Sequence, residues 1–202
     1  MNSQQRIRKI AGVGILIALA VVLQFIANYI TIVIGPLSIN INLALIPIVI
    51  CAIVYGPLSG ALVGGVVGVI VLFAPTTGLF LGYNALATII LCIVKTALSG
   101  LVSGYLFKLL RKINLSLGII SSSIIVPIVN TLTFVIGVLI FFLPLYGGDT
   151  SSAVKTLIST VITINFLIEF LICAILSPTL VYLVKLLDKR FNLGIQINTE
   201  KE

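Results

Sequence analysis

Long apolar stretches recur along this chain with only short, turn-rich connections between them, and that alternation restricts the fold more than any other feature. The stretches cover 10–30, 42–55, 61–74, 84–107, 117–143 and 156–187. A helix needs about 20 mostly apolar residues to cross the roughly 30 Å hydrocarbon core of a bilayer. Inside that core, backbone polar groups are satisfied only within helices or closed barrels. The pattern predicts an all-α, multi-pass integral bundle of six transmembrane helices, with 1–202 forming a single membrane domain in the cell membrane. Composition closes off a soluble domain. Only 8% of residues are charged and 60% are hydrophobic, whereas soluble domains carry about a quarter charged residues.

The second and third stretches are short, about 14 residues each, or roughly 21 Å at the helical rise. Taken alone they form either one bent hairpin that does not fully cross or two tilted spans extended into their flanks. Charge decides the parity. A single crossing over 42–74 puts Lys108, Arg111 and Lys112 on the face opposite Arg6, Arg8 and Lys9, against the rule that short cytoplasmic loops hold the Lys and Arg excess. A turn at Gly56-Pro57-Leu58-Ser59-Gly60 brings all six to one side, where Lys185, Lys189, Arg190 and Lys201 join them and Lys155 alone lies outside. Both termini are then cytoplasmic. The outer connections become 31–41, 75–83 and 144–155, held out of continuous helix by Gly35-Pro36, Pro75-Thr76-Thr77-Gly78 and Pro144 with Gly147-Gly148-Asp149.

The net charge of +7 sits at span ends instead of forming one basic face, so it reads as topology and gives no nucleic-acid partner. Cys51, Cys92 and Cys173 all lie in apolar runs without C-x-x-C spacing, and the chain has no His, so they read as small hydrophobes. The basic start, residues 1–9, resembles the opening of a signal peptide. The run behind it, 10–30, is longer than a signal core and no A-x-A site follows, which predicts a retained first helix.

Two charges, Lys95 and Glu169, fall near the centres of apolar stretches. Placing an ionisable group there costs roughly 2.5 to 3.5 kcal/mol even on lenient insertion scales, which marks a functional position. On the fourth stretch Asn84, Thr88 and Lys95 share a helical sector about 40° wide, a polar stripe. On the sixth, Asn165 and Glu169 share a face, and the fifth adds Asn130 just after Pro127. Gln24 and Asn28 on the first are again four apart. Lys95 and Glu169 lie at similar depth, of order 16 to 20 Å from the outer ends. Two readings follow. In one, the pair is a salt bridge tethering two helices. In the other, Lys95 offers positive charge to an anionic ligand whose polar groups Asn84, Thr88, Asn130 and Asn165 fix, while Glu169 positions Lys95 or accepts a ligand hydroxyl. A buried pair barely breaks even after desolvation, which favours the second.

Glycines supply a different order. Gly60, Gly64 and Gly68 recur every four residues, with Gly65 beside them, and Gly100 and Gly104 repeat the spacing, so that 58–65 and 98–105 look alike. Small residues at this spacing let helix backbones approach closely, which predicts packing within the bundle. Gly14 and Ala18, near the cytoplasmic end of the first helix with Ala11 and Ala20 nearby, have the same spacing and would suit a partner helix.

The chain has no G-x-x-x-x-G-K-[ST] loop and no soluble domain, which predicts that it does not itself hydrolyse a nucleotide to drive anything. With no His and one buried carboxylate, no metal, cofactor or catalytic residue is assigned. Energy for any transport comes from a gradient or a partner.

Six short-looped spans with small residues in the first, the segment INLALIPIVICAIVYGPLSGALVGGVVGVIVL at 41–72, and PIVNTLTF at 127–134 resemble the substrate-binding S component of an energy-coupling factor (ECF) vitamin transporter, most like the pantothenate-specific subgroup. The resemblance implies a subunit that takes a vitamin from outside, pairs with a membrane coupling subunit and two ABC-type ATPases, and reorients to deliver it inward. It also implies that the first helix docks on the coupling subunit. The family's motif is A-x-x-x-A, for which the best match here is Gly14 to Ala18. Pantothenate, with its carboxylate, hydroxyls and amide, suits one Lys among Asn side chains, and other carboxylate vitamins share part of that chemistry. The competing expectations are a self-sufficient gradient-driven carrier or channel with Glu169 as a cation site, and a scaffold protein in which the polar stripes only join helices.

Overall fold

The computed structural model describes residues 3–29, 31–34, 37–40, 42–146, 151, 155 and 165–191. The chain begins with α1 (Ser3–Tyr29), followed by an antiparallel hairpin of β1 (Thr31–Ile34) and β2 (Leu37–Asn40) in which Thr31 faces Asn40 and Ile34 faces Leu37. Next come α2 (Leu45–Tyr55), α3 (Pro57–Val71), a 3-10 turn at Pro75–Thr77, α4 (Gly78–Tyr83), α5 (Ala85–Leu110), α6 (Leu115–Phe141), a second 3-10 turn at Leu143–Tyr146, and α7 (Leu167–Phe191). The expected turns at Gly35-Pro36 and Gly147-Gly148-Asp149, and the beginning of the sixth expected span at 156–164, lie outside the described residues.

Four of these helices, α1, α5, α6 and α7, are long and apolar enough to cross a bilayer, and the pair formed by α3 and the 75–83 segment supplies a fifth candidate. That segment is helical where the sequence predicted an outer loop, but it is bent 77° away from α3. The bend is held locally. Pro75 restarts the chain after α3, and the Thr77 hydroxyl donates to the Val71 carbonyl at 2.9 Å, satisfying one of the last carbonyls of α3.

The second expected span contains a short helix at the centre of the bundle. α2 is an eleven-residue helix, about 16 Å long, and its Leu45, Ile48, Val49, Cys51, Ala52 and Ile53 are buried. It touches α1, α3, α5, α6 and α7, so it lies at the centre of the bundle. The turn predicted at 56–60 contracts to one residue. Gly56 adopts φ +97°, a left-handed backbone open to glycine, and α3 starts immediately with Pro57 at its first position, where the missing N–H removes no helical bond.

The glycine pattern becomes an antiparallel seam between α3 and α5. A Cβ added at Gly60 would come within 2.9 Å of the Gly100 carbonyl, one at Gly64 would run into the Thr96 carbonyl, and one at Gly68 would lie 2.6 Å from Ile93 Cα. A Cβ at Gly104 would likewise lie 2.5 Å from Pro57 Cα. The likeness of 58–65 to 98–105 thus has a physical meaning, because Gly60 and Gly100 face each other. Gly65 points elsewhere, with nothing within 4 Å.

Side-chain hydrogen bonds reinforce the frame. Ser103 on α5 donates to the Ser122 carbonyl on α6 at 2.9 Å. Gln24 donates to Asn28 at 2.8 Å and Asn28 to the Ile70 carbonyl at 3.1 Å, so the first helix's polar pair ties α1 to the end of α3. Cys51, Cys92 and Cys173 are free thiols within the core.

Candidate functional site

The middle of α5, the middle of α6 and the start of α7 bring Lys95, Asn130 and Glu169 together. Lys95 lies about 15 Å along α5 from its start, Asn130 sits on α6 three residues beyond the buried Pro127, and Glu169 is in the first turn of α7. Asn130 is 6% exposed and Glu169 9%, while Lys95 is half-buried. The Asn130 side chain is hydrogen-bonded to the Glu169 carboxyl, and Lys95 is within electrostatic range of that carboxyl. No ion pair is formed between described residues at this point. The ammonium of Lys95 instead lies over the ring of Phe134, 5.0 Å from its centroid.

Phe134 was not among the residues singled out from the sequence. Its signal was available, because it follows Asn130 by four residues and so occupies the same face of α6. It belongs to an aromatic group capping the site. Phe80, on the bent α4, meets Phe134 edge-on at 5.9 Å and Phe142 at 5.1 Å, and Tyr83 reaches Phe142 at 6.0 Å. Leu91 and Val138 fill the space beneath them. The 75–83 segment is therefore packed onto the Lys95 region by aromatic contacts.

The polar stripe expected on the fourth span divides into two parts. Asn84 is the N-cap of α5, exposed, in extended backbone geometry, with its side chain accepting the Ala87 N–H at 3.1 Å. Thr88 is buried and its hydroxyl donates to the Asn84 carbonyl at 2.8 Å. Both side chains are engaged in starting the helix, about two to three turns before Lys95. Asn165 is half-buried, in a π-type turn with Phe166 where α7 begins, and is already partnered. Phe166 also stacks obliquely on Phe170 at 5.7 Å.

At the other end of the molecule, α1 has two unlike faces. Gly12 packs against the Tyr55 ring, and Ala20, Gln24, Ala27 and Asn28 are buried. Ala11, Gly14 and Ala18 lie on the outward face, where a Cβ at Gly14 would meet nothing within 4 Å. Ile15, Leu19 and Val22 flank them as exposed apolar residues.

The architecture, several membrane-length helices around a short buried one with a cation at mid-span, defines a multi-pass integral membrane protein with an internal polar site. The family model of the ECF transporter substrate-specific component matches residues 8–181. The chain belongs to that family. It is therefore a substrate-binding membrane subunit of an ECF transporter, a transport component and not an enzyme, whose family works on a small-molecule substrate with coupling and ATPase partners. Comparison with curated proteins and with solved structures gives no match.

Proposed function

We propose that this S component captures a carboxylate vitamin, pantothenate, from the outer side of the cell membrane, with Lys95 as the residue that receives the carboxylate. The observation carrying this reading is the state of that ammonium, which is half-buried at mid-span and rests on an aromatic ring with no carboxylate of the described residues in contact. A cation over a ring contributes about 0.5 to 2 kcal/mol. A charge-assisted hydrogen bond to a carboxylate contributes roughly 1.5 to 3 kcal/mol, so an arriving anion has something to gain by drawing the ammonium off Phe134. Glu169, tied to Asn130, stays near enough to reduce the cost of a lone buried charge without occupying Lys95 itself. Asn84, Thr88 and Asn165, further out along the same helices, take part where the vitamin's polar groups extend towards the outer face.

Transport in this reading depends on six crossings with both termini cytoplasmic. The outward face of α1 around Gly14 and Ala18 then lies against the membrane coupling subunit, and two ABC-type ATPases drive reorientation. The open space at Gly14 supports this, since a glycine that meets nothing within 4 Å among the described residues leaves room for another helix.

Calorimetry and thermal shift of the purified chain against a panel of vitamins test the ligand. A compound present at 1,000 times its Kd stabilises the fold by about 4 kcal/mol through mass action alone. Stabilisation by pantothenate is the expected result, and stabilisation by cationic or neutral vitamins only would overturn it. For docking, Gly14→Leu and Ala18→Leu are expected to leave vitamin binding intact and abolish uptake by the assembled transporter. Normal uptake in both variants would remove the α1 assignment. Uptake by the chain without ATPase partners would instead favour a self-sufficient carrier.

A further inference from the structure

Asn130 carries an unsettled polar account. Its amide has a donor end and an acceptor end. Because Oδ1 meets no partner among the described residues, the contact with Glu169 falls to the Nδ2 end. That Oδ1 is buried and has no partner in a residue only 6% exposed. A buried acceptor left unpaired costs about 1 to 3 kcal/mol, and native proteins keep few of them. One turn further along the same face is Phe134, with the Lys95 ammonium over its ring. The orphaned acceptor and a cation that no carboxylate of the described residues contacts thus lie along one face of α6.

Resting on the reading that Lys95 receives an anion, we infer that Asn130 is a specificity-determining residue that accepts a hydrogen bond from the ligand. The substrate class is then a carboxylate that also bears a hydroxyl or amide N–H, and carboxylates lacking any donor are discriminated against. Glu169 acts in this as a positioning residue. By holding Nδ2 it fixes the amide's orientation, so that Asn130 presents oxygen and not nitrogen to the site. The discrimination has the sign expected of a buried acceptor. A ligand without the donor leaves Oδ1 desolvated and unpaired, and such sites reject the analogue far more strongly than an apolar pocket rejects a missing methylene. Discrimination of this kind is absent from a purely electrostatic site built on Lys95 alone.

The test is calorimetry on the full-length purified chain with four probes. Pantothenate has the carboxylate, two hydroxyls and an amide N–H. N-(3,3-dimethylbutanoyl)-β-alanine keeps the carboxylate and amide but lacks the hydroxyls. The ester in which oxygen replaces the amide N–H keeps the hydroxyls, and panthenol has an alcohol in place of the carboxylate. One of the two donor-deleted carboxylates is expected to bind about 10-fold to 100-fold more weakly than pantothenate, and which one does so tells hydroxyl from amide. In Asn130→Ala that ratio should collapse to within about twofold. The ratio is taken within one variant, so it does not depend on how much of that variant folds. Glu169→Gln, whose amide can serve Asn130 from either end, should narrow the discrimination while leaving the preference for pantothenate over panthenol. Equal binding of both donor-deleted carboxylates to the wild-type chain overturns the inference, as does a ratio that persists unchanged in Asn130→Ala. Panthenol binding as tightly as pantothenate sinks the Lys95 reading instead, and the Asn130 ratio is then read from panthenol and its amide-to-ester analogue.

Discussion

Helix α5 has two working faces, and they are built by opposite rules. Towards α3 it offers Gly100 and Gly104 to Gly60 and Pro57, with Cys92 and Thr96 against Gly68 and Gly64, so that backbones meet with no side chain between them. Towards α6 and α7 it offers Lys95, which lies beside an aromatic ring, a hydrogen-bonded carboxyl and an amide oxygen with no partner. The first face is complete as it stands. The second has polar capacity to spare. In lipid, where no hydrophobic drive separates helix from helix, close glycine packing supplies the cohesion that lets a neighbouring face remain under-satisfied. In the proposed reading the α3 and α5 pair is the scaffold and the α5, α6 and α7 cluster receives the ligand.

The largest effect expected from breaking this comparison lies on the seam. Gly64→Leu drives a side chain into the Thr96 backbone, which has no rotamer by which to yield. Overpacking in ordinary cores costs about 1 to 3 kcal/mol, and more is expected where the obstacle is backbone. The variant should fail to give a monodisperse peak by size-exclusion chromatography in detergent. Gly65→Leu, one residue along and facing open space, should elute as the wild type does. If both behave alike, the seam is not the scaffold.

Next in size is Lys95→Ala. Loss of a charge-assisted contact is expected to weaken pantothenate binding by about 100-fold, measured by calorimetry, while the melting temperature without vitamin moves by only a few degrees. The reverse outcome, with a large loss of melting temperature and normal affinity in the residual folded fraction, would make Lys95 part of the scaffold and erase the distinction between the two faces.

How far these two faces were legible in the sequence follows from what each depends on. The glycine spacing was visible, and so was its meaning as packing, because a four-residue period has one geometric consequence on a helix. Its partner was not visible, since nothing in 58–65 says that it faces 98–105 and not another helix. Lys95 and Glu169 were visible because a charge within hydrocarbon is conspicuous. Phe134 was not, because one aromatic among many apolar residues carries no contrast. The central position of α2 was hidden for a similar reason. Apolarity alone does not separate a helix facing lipid from one enclosed by other helices, and the shortness of the 42–55 stretch was its one distinguishing mark. The shared sector of Asn84, Thr88 and Lys95 assumed that one helix runs through all three. The helix begins at Ala85, so Asn84 lies in extended backbone and its side chain turns back to cap.

That cap gives the smallest effect and the finest test of the division. Asn84→Ala removes the acceptor for the Ala87 N–H, and loss of an N-cap costs about 1 kcal/mol. The melting temperature should fall by about 2 to 4 °C for a chain of this size. As a cap, Asn84 acts through the start of α5, so its loss should lower stability equally with and without pantothenate and leave the Kd unchanged within about twofold. As a ligand contact it should do the opposite, leaving the empty protein nearly as stable while shrinking the stabilisation that pantothenate adds. Melting curves of Asn84→Ala over a pantothenate titration separate these outcomes. The second would extend the polar face of α5 outward from Lys95 to the helix's first residue, whereas the first confines it to the cluster formed with Asn130 and Glu169.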